Sequence, residues 1–120
     1  SGTLTVSSST IGGDSLSVNT ATNGGGIWNN SSLSITGSTI SNNTATGTAP
    51  GTGGGGLFNT GTLTVTSSTI AGNSASYGSG GIFNVGSVSV SSSTISGNSA
   101  GIGGGIFNGG SFSISGSTIS

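Results

Sequence analysis

The chain repeats itself, and that fact limits its folds more than any other. Leu4, Leu33, Leu63, Val88 and Phe112 stand 29, 30, 25 and 24 residues apart, and Ile11, Ile40, Ile70, Ile95 and Ile119 keep the same four spacings. A third column, Ile27, Leu57, Ile82 and Ile106, keeps the last three. Columns that agree over a whole chain of 120 residues mark a repeat architecture, in which each unit is one small structural module stacked on the next. The units run 2–30, 31–60, 61–85 and 86–109, with a partial unit at 110–120.

The basic unit is 24 residues, with five added between Ile11 and Asn19, six between Ala45 and Leu57, and one between Ala75 and Ile82. Additions confined to fixed points of a period behave as loops on a regular scaffold. The atypical residues fall there: Asp14 in the first insert, Pro50 in the second and Tyr77 beside the third. No column is disturbed by them.

Inside a unit the period is 2. "GTLTVTSSTI" at Gly61–Ile70 sets Leu63 and Val65 on one face and Thr62, Thr64 and Thr66 on the other, which is a strand pattern rather than a helical one. Val and Thr favour strands, and the recurring glycines disfavour helix. Each unit therefore offers three short strands, of the "LTV", "STI" and "GGGIFN" types, joined by polar turns. The few aliphatic side chains of one unit cannot offset the backbone entropy of ordering it, so units must stack. Like strands then pair in parallel about 4.8 Å apart. The expected fold is all-β, a parallel β-helix of about four coils, with Leu4, Val6, Ile11, Ala21 and Ile27 facing inward in the first coil.

Stacking turns every repeated residue into a column. Asn19, Asn43, Asn73 and Asn98 form one, and Asn29, Asn59, Asn84 and Asn108 another. Stacked amides can hydrogen-bond from coil to coil, so both are expected to be structural Asn ladders at turns. Trp28, Phe58, Phe83 and Phe107 form an aromatic column, which strict alternation places on the outside. It is either a ladder, covered by neighbouring loops or included in the core at a bend, or a lateral contact or sugar-stacking stripe.

Composition removes much chemistry. The chain has one acidic residue, no Lys, Arg or His, and no Cys. Without cations nothing neutralises phosphates, so neither nucleic acid nor an anionic membrane is an expected partner. No window approaches the ~20 apolar residues that span a bilayer as a helix. Acid–base and glycoside chemistry need paired carboxylates or a base, and a nucleophilic Ser needs a base beside it. Asp14 alone supplies neither, and no enzymatic activity, cofactor or metal is expected. A P-loop needs its Lys and a following helix, so the glycine runs serve close backbone approach instead. One carboxylate is likewise too few for calcium.

Units reading "GGGIFN.G.LTVTSSTIAGN.A" resemble the glycine-rich parallel β-helix repeats of bacterial secreted and surface proteins, including polymorphic outer-membrane proteins and autotransporter passengers. The resemblance spans nearly the whole chain. It implies a right-handed coil, as does the bias of parallel crossovers. It also implies an extracellular or cell-surface place, as a stalk, fibre or adhesin segment. The chain starts and stops part-way through its own repeat, and the expectation is a segment of something longer, either continued covalently or joined end to end by docking. A net charge of −1 leaves little repulsion against such self-association.

The remaining surface is hydroxylic. Thr5, Ser34, Thr64, Ser89 and Ser113 form an outward column, and Thr10, Thr39, Thr69, Thr94 and Thr118 form one that is Thr throughout. These are candidate sites for covalent O-glycans or for ordering water, and Asn29, Asn30 and Asn42 sit in N-x-S/T sequons. A flat array of Thr on a β-helix also resembles ice-binding solenoids.

Overall fold

The computed structural model describes residues 2–14, 16 and 18–120, and among these described residues there are eighteen strands and no helix. Ser15 and Ser17, in the first insert, lie outside the described residues. Four parallel sheets wrap around one core. Sheet 1 stacks β1 (Thr3–Ser7), β5 (Ser32–Thr36), β9 (Thr62–Thr66), β13 (Ser87–Ser91) and β17 (Ser111–Ser115). Sheet 2 stacks β2 (Thr10–Gly12), β6 (Thr39–Ser41), β10 (Thr69–Ala71), β14 (Thr94–Ser96) and β18 (Thr118–Ile119). Sheet 3 holds β3 (Thr20–Ala21), β7 (Thr44–Ala45), β11 (Ser74–Ala75) and β15 (Ser99–Ala100). Sheet 4 holds β4 (Ile27–Asn29), β8 (Leu57–Asn59), β12 (Ile82–Asn84) and β16 (Ile106–Asn108).

The chain is thus a parallel β-solenoid of four coils and the first half of a fifth. Its register is the one the repeat dictates: Leu33 pairs with Leu63, Ile40 with Ile70 and Leu57 with Ile82. Each coil has four strands where the sequence suggests three. The extra one is the two-residue Thr–Ala or Ser–Ala strand of sheet 3, too short for alternation to betray but long enough to pair in parallel.

Inward residues of the middle coils form a continuous apolar column system. Leu33, Ile35, Ile40, Leu57, Leu63, Val65, Ile70, Ile82, Val88, Val90 and Ile95 are all buried. Each is covered above and below by its counterparts, and this is where the apolar surface leaves water. In the outer coils the same columns are only partly covered: Leu4 is 63% exposed, Ile114 42% and Ile119 44%. The inserts project from the scaffold, with Asp14, Leu16 and Pro50 exposed.

Two local devices close the coil. Sheet 1 turns into sheet 2 through a left-handed residue, at Ser8, Gly37, Ser67, Ser92 and Gly116, with φ between 47° and 56°. Between sheets 3 and 4 the glycine run passes close to backbone: a Cβ on Gly25 would lie 2.5 Å from the Thr44 carbonyl oxygen and 2.6 Å from that of Gly55. No side chain fits in that space.

Candidate functional site

The polar interior is made of ladders that run along the stack. In the first, Asn19 Nδ2 donates to Asn43 Oδ1 at 2.9 Å, Asn43 to Asn73 at 3.1 Å, and Asn73 to Asn98 at 3.0 Å. The Oδ1 of Asn73 also accepts from the Asn43 backbone N–H, and that of Asn98 from the Asn73 N–H. In the second, Asn29, Asn59 and Asn84 each donate to the Asn of the next coil at 2.7 Å, ending on Asn108. Each also ties down its own turn, as Asn59 Nδ2 does to the Gly61 carbonyl. Asn43, Asn59, Asn73 and Asn84 are fully buried, and among the described residues no buried side-chain nitrogen or oxygen lacks a partner. These amides satisfy the corners, where strand ladders cannot.

A third ladder escapes the sequence reading. Ser38, Ser68 and Ser93 are buried at 4% exposure, and the backbone N–H of each coil's serine donates to the Oγ of the next: Ser9 to Ser38, Ser38 to Ser68, Ser68 to Ser93 and Ser93 to Ser117, all at 3.0–3.1 Å. Each hydroxyl then donates to the carbonyl two residues earlier, as Ser68 does to Thr66 at 2.8 Å. The signal was present. This column is serine in all five units, whereas the residue before it is Ser or Gly.

All three ladders point one way. In each link between like residues the donor lies in the lower-numbered coil and the acceptor in the higher, while Nδ2 of Asn43, Asn73 and Asn98 also donates back to the carbonyls of Ile11, Ile40 and Ile70. The glycine run does the same with its backbone: Gly24, Gly25, Gly26 and Ile27 donate in succession to the carbonyls of Gly53, Gly54, Gly55 and Gly56 at 3.0–3.1 Å. In an ordinary parallel pair successive N–H groups alternate between neighbours. Sheet 1 keeps that rule, Thr62 donating back to Ser31 and Ser67 forward to Ser91. The glycine run breaks it.

The hydroxyl columns lie outside, as their parity requires. Thr5, Thr64, Ser89 and Ser113 are exposed and Ser34 is half-buried; Thr10, Thr94 and Thr118 are exposed, while Thr39 and Thr69 are half-buried. Beside the first column runs Thr62, Ser87 and Ser111, and between the two rows lies an open trough of about 240 Å³ floored by the strands at Leu63, Val88 and Phe112. The sequons separate clearly. Asn29 is buried in its ladder, and Asn42 donates to the Gly13 carbonyl, whereas Asn30 is exposed.

The aromatic column is not an exposed stripe. Phe58 and Phe83 are buried at 7% and 3%, Phe107 is half-buried, and only Trp28 stands out at 65%. Phe58 and Phe83 stack at 5.1 Å and 6°, Phe83 and Phe107 at 4.6 Å and 16°, and Trp28 meets Phe58 edge-on at 6.5 Å. Alternation sends the rings outward, but the connection from sheet 3 to sheet 4 folds over them; a Cβ on Gly78 would lie 2.6 Å from the Phe83 ring. Trp28 belongs to a coil whose connection carries no added residues, and it remains open to solvent.

Among the described residues no helix is long and apolar enough to cross a membrane, and no cluster of three His, Cys, Asp or Glu gathers. The chain matches no family model, and neither a curated protein nor a solved structure matches it.

Proposed function

We propose that this chain is a structural repeat protein, a segment of an extracellular filament or surface stalk. The observation that carries the reading is the unbroken register of four parallel sheets and three side-chain ladders, which lets coils of the same kind be added without changing a single contact type. Stability in such a stack comes from each coil and its two neighbours, so length can grow at constant stability per coil. The extracellular or cell-surface place, and kinship with the repeats of autotransporter passengers and polymorphic outer-membrane proteins, rest on the resemblance of the units. The side-chain inventory, with one acid and no Lys, Arg, His or Cys, supports a non-catalytic role.

The outward columns headed by Thr5 and Thr10 are proposed to carry O-glycans. Among the described residues no hydrogen bond joins their hydroxyls to the rest of the protein, so they are free to react. Electron microscopy of the native material, at a resolution that separates strands, tests both parts. Continuous stacks with added density on Ser or Thr support the reading, and isolated, bare monomers overturn it.

A second reading is favoured by the trough alone. Two straight hydroxyl rows about 6.6 Å apart, repeating about every 4.8 Å, form a lattice that can order water, and so could hold an ice surface. Ice-crystal growth in the presence of the chain decides it: unaltered growth rules this reading out.

A further inference from the structure

We infer that Asn30 is the acceptor site for an N-linked glycan, and that the fold closes the other two sequon asparagines, Asn29 and Asn42, to one. This rests on the reading of a glycosylated extracellular segment and adds to it a second linkage at a single place.

Asn30 stands apart from the other asparagines. The chain has eleven, and among the described residues ten have side chains hydrogen-bonded within the stack, Asn30 being the exception. Its position explains this. Asn30 lies at the corner between β4 and β5, and its counterparts in the following coils are Thr60, Val85 and Gly109. Thr60 and Val85 have a coil on either side and are still exposed, Val85 at 47%, so the corner faces solvent within the stack. A position that takes Asn, Thr, Val and Gly in turn uses no side chain for packing. A group added there displaces nothing.

The neighbouring sequons differ on both counts. Asn29 is buried, and its Nδ2, the atom that a sugar would take, donates to Asn59 Oδ1 at 2.7 Å, to the Thr62 carbonyl at 3.0 Å and to the Ser31 carbonyl at 3.2 Å. Asn42 is half-buried with φ of 56°, and its Nδ2 donates to the Gly13 carbonyl. Its Oδ1 lies so close to Gly72 that a Cβ there would come within 2.6 Å. Either amide must leave its partners before a sugar can join it.

The chemistry asks for an asparagine amide with a hydroxyl residue two positions on, which Ser32 supplies. The donor is of the class of oligosaccharides carried on a lipid pyrophosphate. Asn30 Nδ2 bonds to the anomeric carbon and the bond from that carbon to the phosphate oxygen breaks. The lipid pyrophosphate leaves with the electron pair, and the amide proton passes to a base of the transferase. The glycan then stands at the border of sheet 1, beside the column of Ser32, Thr62 and Ser87.

Overlap of two sequons makes the test specific, because Ser31 completes that of Asn29 and Ser32 that of Asn30. The full chain is secreted from a eukaryotic cell line and treated, in heavy-oxygen water, with an amidase that releases only N-linked glycans. Mass spectrometry then reads which asparagine has become a labelled aspartate, with circular dichroism to show that each chain is folded. The expected label falls on Asn30 alone in the parent and in Ser31→Ala, and is lost in Ser32→Ala. Ser32→Thr keeps it, and suits the fold because Thr3 and Thr62 already occupy that column. Should Ser32→Ala fail to fold, Asn30→Thr, which copies Thr60, replaces it. A folded parent without label at Asn30, or with label on Asn29 or Asn42, overturns the assignment. The host imposes the secretory route, so that failure leaves the extracellular reading standing; native chain found inside the cell overturns that reading and not the acceptor site.

Discussion

The side-chain amide of Asn59 donates to Asn84 Oδ1 over 2.7 Å, and both residues are completely buried. Asn59 also accepts from Asn29 and donates to the carbonyls of Gly61 and Ser87. Truncating it therefore strands several buried groups at once, each worth about 1–3 kcal/mol. Asn59→Ala is expected to cost about 3 kcal/mol or more in denaturant unfolding. Asn108→Ala, whose side chain is exposed, is expected to cost about 1 kcal/mol or less. Equal losses would show that the ladder is not cooperative.

Asn59→Asp converts the same position into a pH sensor. A carboxylate cannot donate to Asn84, and burial favours the protonated form, so the introduced acid has a higher pKa folded than unfolded. The sign follows: the variant is most stable below the unfolded pKa and loses stability as pH rises through the folded one. Unfolding at about pH 4 and about pH 8, each compared with the parent, should show the deficit growing with pH. A deficit that shrinks with rising pH contradicts it.

Serines at the left-handed corner are replaceable. Ser67 and Ser92 both have φ of 49°, where an L side chain costs about 1–2 kcal/mol, and the equivalent positions Gly37 and Gly116 are already glycine. Glycine gives back part of that gain through the unfolded chain. Ser67→Gly should raise stability by about 0.5–1 kcal/mol in thermal or denaturant unfolding. A loss of that size would mean that the Ser67 hydroxyl makes a contact of value.

The glycine run should tolerate nothing larger. A Cβ on Gly55 would meet the Ser74 carbonyl oxygen head-on and lie 2.6 Å from the Gly80 carbonyl oxygen, both backbone atoms that cannot step aside. Gly55→Ala is expected to cost about 3 kcal/mol or more, at the upper end of what overpacking does. Gly51→Ala, with φ of 84° and nothing within 4 Å, should cost only the backbone strain of about 1 kcal/mol. Similar losses at both sites would argue against close packing as the reason for the run.

Phe83 holds the aromatic ladder together, stacked on Phe58 below and Phe107 above. Phe83→Ala should cost about 3–5 kcal/mol, as for other buried aromatics. Trp28→Ala, at the exposed end, should stay within about 1 kcal/mol. The pair of unfolding curves separates a core ladder from a binding stripe, which would show the reverse order of importance.

The amino-acid sequence by itself determined the coil length, the parallel pairing and the register. In a solenoid every unit touches only its neighbours, so identical spacings of Leu, Ile and Asn can superpose in one way. The tertiary structure decided what is covered. Strand parity says which side of a strand a residue takes, and it placed Thr5, Thr64 and Leu63 correctly. It does not survive a left-handed corner: the turn at Ser67 reverses the alternation and sends Ser68 into the core as a ladder. Nor does parity show what lies outside a strand, and connections elsewhere in the coil cover Phe58 and Phe83 while leaving Trp28 bare. The direction of the glycine N–H groups was equally invisible. It depends on backbone angles that glycine leaves open, and only packing against the strands of sheet 3 chooses among them.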